Sequence, residues 1–444
     1  MSITKLKSTF SRQGSRHSYN PSVQDELETS HLLRPPHGDN APSRLAKNLQ
    51  DVWQLLRSNY ANILLVIVPF GLLSGPLSWG PAARFTLNYL AIIPLAVVIS
   101  YVSEELALSL GQISGGLLNA ILGSATELIV RLSPYHLAIT DLMRSQISII
   151  ALEENEIRLV QASIMGMVFS NMLLTPGACF FVGGLRYPLQ MFHGSITSTM
   201  LVPTLASIMI LVAPTALYSV TARGFEEQHE SNSLSLGCAV VLLLLHAASL
   251  VFQLKTHTDL FDDVDETEEN FDSLEPNINI WMAALILPLT LVLITLCARN
   301  MVRSLPPVID NSSLSRSFIG FVLLPFIDST GALFTSVVVA YRDKTDLVLG
   351  VCNGGILQTV LFVTPVLVIT GAATDHPLTL YFGRWDIVAV LFATVLLAAL
   401  LQRGTSTYLD GVFCLAFYSI VVIAFCVLPE EIAPFEQGVG TITM

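Results

Sequence analysis

The stretch Gly115-Gly116-Leu117-Leu118-Asn119-Ala120-Ile121-Leu122-Gly123-Ser124-Ala125-Thr126-Glu127-Leu128-Ile129 decides the fold. It is apolar enough to cross a membrane, yet it carries a carboxylate, an amide and two hydroxyls. An ionised carboxylate at the centre of a span costs about 2.5–3.5 kcal/mol on insertion scales, so such groups are rare and face polar pathways. Helical periodicity puts Asn119, Gly123 and Glu127 on one face, four residues apart. The glycine between them lets a ligand or a neighbouring helix come close. Polar residues also glue helices together in membranes. Gluing needs no charge, and Glu127 brings one.

Composition sets the class. The chain has 444 residues, 52% hydrophobic and only 13% charged, with a mean hydropathy of +0.63. That balance describes an all-α polytopic membrane protein in contact with lipid. The net charge is −12, so there is no basic field for nucleic acid. The six cysteines fall in or beside apolar segments without paired spacing, which indicates neither disulfides nor a zinc site.

Residues 1–56 are polar and lack an apolar core, and read as a disordered tail rather than a signal peptide. Their excess of Lys and Arg over the loop after the first span places this end in the cytosol. Apolar segments follow at about 60–79, 85–103, 107–130, 159–183, 195–218 and 233–254. Five more lie at about 279–298, 316–340, 346–371, 384–401 and 411–429. Each can cross roughly 30 Å of hydrocarbon, which predicts about 11 transmembrane helices. An acidic run, Asp259 to Asp272, separates the sixth from the seventh. It reads as a solvated linker or as a weak cation-attracting surface; EF-hand spacing is absent from it.

The spans divide into a first span (57–84), one repeat (85–254), the linker (255–278), a second repeat (279–430) and a short tail (431–444). Gly166 to Asn171 in the first half echoes Asn353 to Gln358 in the second. Five spans per repeat invert the second copy in the membrane, and inverted repeats place a site at their midplane interface.

The quoted stretch resembles the first signature of the vacuolar Ca²⁺/H⁺ exchangers, the CAX family of the cation/Ca²⁺ exchanger superfamily. Further likeness lies in Glu156-Ile157-Arg158-Leu159-Val160-Gln161-Ala162-Ser163, Ser170-Asn171-Met172-Leu173-Leu174, Leu323-Leu324-Pro325 and Lys344 to Val351. The resemblance implies a multi-pass vacuolar membrane protein that moves Ca²⁺, in some members Mn²⁺, against protons. It implies no cofactor beyond the transported ions, and no enzymatic step; oligomeric state stays open. Glu127 is then the cation- and proton-binding carboxylate, with Asn119, Ser124, Ser170, Asn171 and Gln358 as polar neighbours. Ca²⁺ takes six to eight oxygens of mixed kind, which such a set supplies.

The second signature departs from the family. Its Gly-Asn-Ala-Ala/Val-Glu-His corresponds to Asp328-Ser329-Thr330-Gly331-Ala332-Leu333, so the second essential Glu is Ala332. Arg299 stands where another Glu is expected. Asp328, one turn before Ala332, is the replacement carboxylate or else a cap at a helix break after Pro325. The alternative function is a transport-impaired exchanger that serves as a binding or regulatory membrane protein. A last departure is Val130 to Gln146, which interrupts the first signature; without it, Glu127-Leu128-Ile129 runs into Ile147-Ser148-Ile149-Ile150-Ala151-Leu152 in register. A valine codon begins with GT and a glutamine codon can be CAG, the two ends of a short intron, so the interval is a retained intron in frame or else a genuine luminal loop extension.

Overall fold

The computed structural model describes residues 64–122, 147–192, 194–221, 228–252, 256, 280–311, 315–374 and 376–427. Glu127, Ser124, the acidic run, His193 and the interval from Val130 to Gln146 lie outside them. The described part is helical, and eight of its helices are long and apolar enough to cross a membrane; Leu64–Ser74 and Leu201–Leu217 are shorter apolar helices.

The chain enters through α1 (Ile67–Ser74) and continues as α2 (Pro81–Leu122), a single helix of 42 residues. The segments read as separate spans over 85–103 and 107–130 are thus joined as far as Leu122. Between Pro94 and Gly111 there is neither proline nor glycine, and Glu104-Glu105-Leu106-Ala107 are good helix formers. At 1.5 Å per residue α2 is about 63 Å long. It packs lengthwise on α7 (Ile280–Arg303), the first helix beyond the linker.

A described helical segment over 147–153 precedes α3 (Ile157–Phe169). α3 widens into a π-turn over Ser170–Leu174 and resumes as α4 (Thr175–Arg186). β1 (Gln190–Met191), α5 (Gly194–Thr221) and α6 (Gln228–Val251) complete the first half. After α7 come α8 (Leu305–Asn311) and α9 (Arg316–Phe318). A second π-turn over Ile319–Leu323 leads into α10 (Leu324–Ala340). Next are α11 (Thr345–Gln358), a third π-turn over Thr359–Val363 and α12 (Thr364–Ala373). α13 (Arg384–Leu401), β2 (Thr405–Ser406) and α14 (Tyr408–Val427) end the described chain. β1 and β2 pair antiparallel, Gln190 with Ser406, and tie loops of the two halves together.

Each of these π-turns has the same local cause. A proline follows one residue after it: Pro176, Pro325 and Pro365. Proline offers no N–H and its ring crowds the carbonyl four residues back. The helix passes through by lengthening its bonds to five residues: Thr175 N–H to the Ser170 carbonyl, Leu324 to Ile319, Thr364 to Thr359. π-turns of this kind concentrate at functional sites. They also keep α10 continuous through Pro325, so Asp328 sits inside a helix and caps no break.

The two halves repeat in detail. Before α3 the chain closes a helix with Asn155 at φ 62°, its N–H bonded to the Leu152 carbonyl and that of Glu156 to Ala151. Before α11, Asp343 takes φ 64°, with its N–H on Ala340 and that of Lys344 on Val339. Both are Schellman closures built on non-glycine left-handed residues. A glycine four residues before the π-turn (Gly166, Gly355) and the Thr-Pro step after it recur in both copies.

Candidate functional site

The site forms where α3 and its π-turn cross the α9–α10 helix. Two glycines allow the crossing. A Cβ on Gly166 would collide with the Phe321 carbonyl and with Pro325, and one on Gly320 would lie 2.7 Å from the Ala162 Cβ. The backbones therefore touch, which brings the next polar side chains together. Ser170 Oγ and Ser329 Oγ lie 2.9 Å apart, both buried. One residue on, the Asn171 amide packs against α11: its Nδ2 is 3.1 Å from where a Cβ on Gly355 would be. One turn beyond Gly355 is Gln358, 9% exposed, whose Oε1 is buried with no hydrogen-bond partner. Three helices thus contribute neutral oxygen donors to the interior of an apolar bundle.

Asp328 precedes Ser329 and is half-buried. On the helical wheel it falls between Ser329, which meets Ser170, and Gly331, whose Cβ position is 2.9 Å from Ser100 Cβ of α2. Asp328 lies on the side of α10 toward Tyr89, whose hydroxyl donates to the Leu323 carbonyl at 3.1 Å. Asp328 is therefore beside the hydroxyl pair, on the side facing α2. Arg299 is on an exposed face of α7. His246 rests on Phe362, with ring centroids 5.2 Å apart.

Of the residues expected from sequence, Ser170, Asn171, Gln358 and Asp328 come into this one region. Of Asn119 only the helical backbone in α2 is described, and Glu127 and Ser124 lie outside the described residues. Sequence reasoning missed Ser329. The signal was present, because Ser329 occupies the Asn position of the second signature. Among the described residues, no group of three or more His, Cys, Asp or Glu converges; the donors here are hydroxyls and amides. Such donors complete the shell of a hard cation whose charge is met by one or two carboxylates.

Residues 138–255 and 282–427 match the family described as sodium/calcium exchanger protein. The chain is 35% identical over 436 residues to the vacuolar calcium ion transporter of Schizosaccharomyces pombe, covering 96% of this chain and 100% of that one. It is 35% identical over 377 residues to the Ca²⁺/H⁺ antiporter of Synechocystis sp., covering 82% and 96%. The native structure of YfkE superposes with a TM-score of 0.66 at 25% identity, over 83% of this chain and 100% of that one.

Proposed function

Because this chain belongs to the sodium/calcium exchanger protein family, within its Ca²⁺/H⁺ exchanger branch, we propose that it is an antiporter that exchanges Ca²⁺ for protons across the vacuolar membrane. The observation that carries this reading is the full-length likeness to a vacuolar calcium ion transporter. The geometry is in keeping with it. The hydroxyls of Ser170 and Ser329 meet inside the bundle, where the two halves cross, and the neighbouring Asn171 amide packs on Gly355.

In this reading Glu127 carries the cation and the proton in turn, since burial disfavours a carboxylate that is charged and unpartnered. Ser170, Asn171, Gln358, Asn119 and Ser124 supply neutral ligands and Asp328 stands in for the Glu lost at Ala332. The N-terminus lies in the cytosol with the acidic linker, and 85–254 and 279–430 form the inverted repeats. The chain needs no cofactor, and its partners are lipid, Ca²⁺ and protons. The test is radiocalcium uptake by the purified chain in vesicles. Uptake that follows an imposed proton gradient and collapses with a protonophore supports exchange; Ca²⁺ binding with no gradient-driven uptake, either by the full chain or by the chain lacking Val130 to Gln146, would overturn it.

A further inference from the structure

The turn that opens α3 holds the second half of the chain through four of its five residues. Glu154 Oε1 accepts from Arg303 Nε at 2.7 Å. Asn155 Oδ1 is 2.7 Å from His376 Nδ1. Glu156 Oε2 accepts from Arg316 Nε at 3.1 Å. Arg158 Nη1 donates to Asp386 Oδ2 at 2.9 Å. These partners come from four places: the end of α7, the start of α9, the loop after α12 and the start of α13. All four mark one end of the bundle, since α7 runs away from the linker toward Arg303. No motif of the exchange site accounts for this convergence.

The contacts are graded by depth. The Glu154–Arg303 side chains are 34% and 48% exposed. Those of Glu156–Arg316 are 11% and 36% exposed. The Glu154–Arg303 pair parts at small cost, because water replaces what each charge loses, and the Glu156–Arg316 pair keeps its arginine end within reach of water. The Arg158–Asp386 pair is different: Asp386 is fully buried and also accepts from the Gly383 N–H at 3.2 Å. A Cβ on Gly383 would collide with the Arg158 guanidinium. A buried pair resists separation, since either charge alone would be stranded. One turn inside, Gln161 Nε2 donates to the Thr379 carbonyl at 2.9 Å.

We propose that this turn is a clasp that closes the cation pathway at the end of the bundle away from the linker. Its outer contacts, Glu154–Arg303, Asn155–His376 and Glu156–Arg316, part when that mouth opens, while Arg158–Asp386 stays joined as the pivot. The clasp rests on the exchanger reading, under which this end faces the vacuolar lumen, and it sets how often the luminal mouth is open.

The test uses the full chain with its six cysteines replaced and one introduced as Gln161→Cys, just inside the clasp. The purified protein in detergent is labelled with a charged maleimide. Glu156→Arg and Arg316→Glu, each alone, should raise the labelling rate by at least about two- to fivefold, the scale of one ion pair that water reaches at one end. The swapped pair Glu156→Arg with Arg316→Glu should return it to the parental rate. Where a charge reversal fails to fold by size exclusion, Glu156→Gln and Arg316→Gln replace it, each expected to raise the labelling rate, and unchanged labelling in both overturns the clasp. Unchanged labelling in the single variants, or a swap that labels as fast as they do, overturns the clasp. Labelling needs no transport, so a chain that fails radiocalcium uptake but shows this pattern loses the exchanger reading and the luminal assignment, and keeps only an ion-paired turn that limits access to Gln161.

Discussion

Ser170 Oγ and Ser329 Oγ share a hydrogen bond of 2.9 Å across the two halves of the chain, one at the start of a π-turn and the other one turn past Pro325. Each hydroxyl is buried, and each has a free lone pair for a cation once the other's proton is turned away. Replacing one leaves the other to face the apolar interior, a loss of about 1 kcal/mol. Ser329→Ala and Ser170→Ala should each raise the KM for Ca²⁺ about fivefold, with kcat changed less. The double variant should be little worse than either, because the two act as a pair. Radiocalcium uptake against Ca²⁺ concentration gives both constants; fully additive losses would mean that the hydroxyls bind independently.

Glu127 and Asp328 together decide the charge balance. A divalent cation met by one carboxylate leaves one positive charge in a low-dielectric bundle, which is costly. Glu127→Gln and Asp328→Asn should each abolish proton-driven uptake to the background of empty vesicles. A transporting chain indifferent to Asp328→Asn would show that Glu127 acts alone, with a monovalent or differently coupled ion.

The prolines make a separate prediction about the site's shape. Pro176→Ala and Pro365→Ala restore an N–H and remove the ring that forces each π-turn. The helix then returns to four-residue bonding, and every side chain before the turn rotates by about 100° relative to those after it. Both variants should fold, with an unchanged size-exclusion profile, while uptake falls at least about tenfold through loss of ligand alignment. Full uptake in Pro176→Ala would show that the π-turn has no part in placing Ser170.

Gly166 gives the stability counterpart. Its neighbour is the Phe321 carbonyl, backbone that cannot swing aside. Gly166→Ala should cost about 1–3 kcal/mol through overpacking and lower the Tm in a thermal-shift assay. Gly354→Ala, where nothing lies within 4 Å of the added carbon, is the control and should leave the Tm in place.

The sequence showed the class and the first half of the site because its signals there are local. Membrane spans are read from runs of apolar residues, and Ser170-Asn171 stood within a recognisable motif. The crossing that joins Ser170 to Ser329 was not legible. It depends on Gly166 and Gly320 approaching backbones more than 150 residues away in the chain, which no periodicity reports. The ion-pair turn was hidden for the same reason. Glu156 and Arg158 stood in a stretch of family likeness, but their partners Arg316 and Asp386 lie more than 150 residues away in the chain. The π-turns were half legible: the prolines were visible, and their effect on bonding follows only once the helix is seen to continue through them.

The last prediction concerns Val130 to Gln146. Ile147, Ala151 and Leu152 are deeply buried in a helix whose described part, 147–153, is about 10 Å long at 1.5 Å per residue. That is a third of a membrane, and it ends at the turn around Asn155. Ser170 lies fifteen residues beyond Asn155, about 22 Å along α3 from the same turn. With the interval present, Glu127 is 28 residues before Asn155, about 42 Å in helical terms, which exceeds the hydrocarbon. With it removed, Glu127 stands eleven residues before Asn155, about 16 Å from the turn. That is about 6 Å, or roughly one helical turn, from the depth of Ser170, where a carboxylate would complete the neutral oxygens. Arg131 and Pro134, which would neutralise Glu127 and interrupt its helix, leave with the interval. We expect the mature message to lack these 17 codons, and the shortened chain to show proton-driven uptake where the full-length chain shows little. Sequencing the mature transcript checks the first part, and vesicles loaded with each form check the second. An uninterrupted dominant message, or equal uptake by both forms, would return the interval to the protein as a genuine loop.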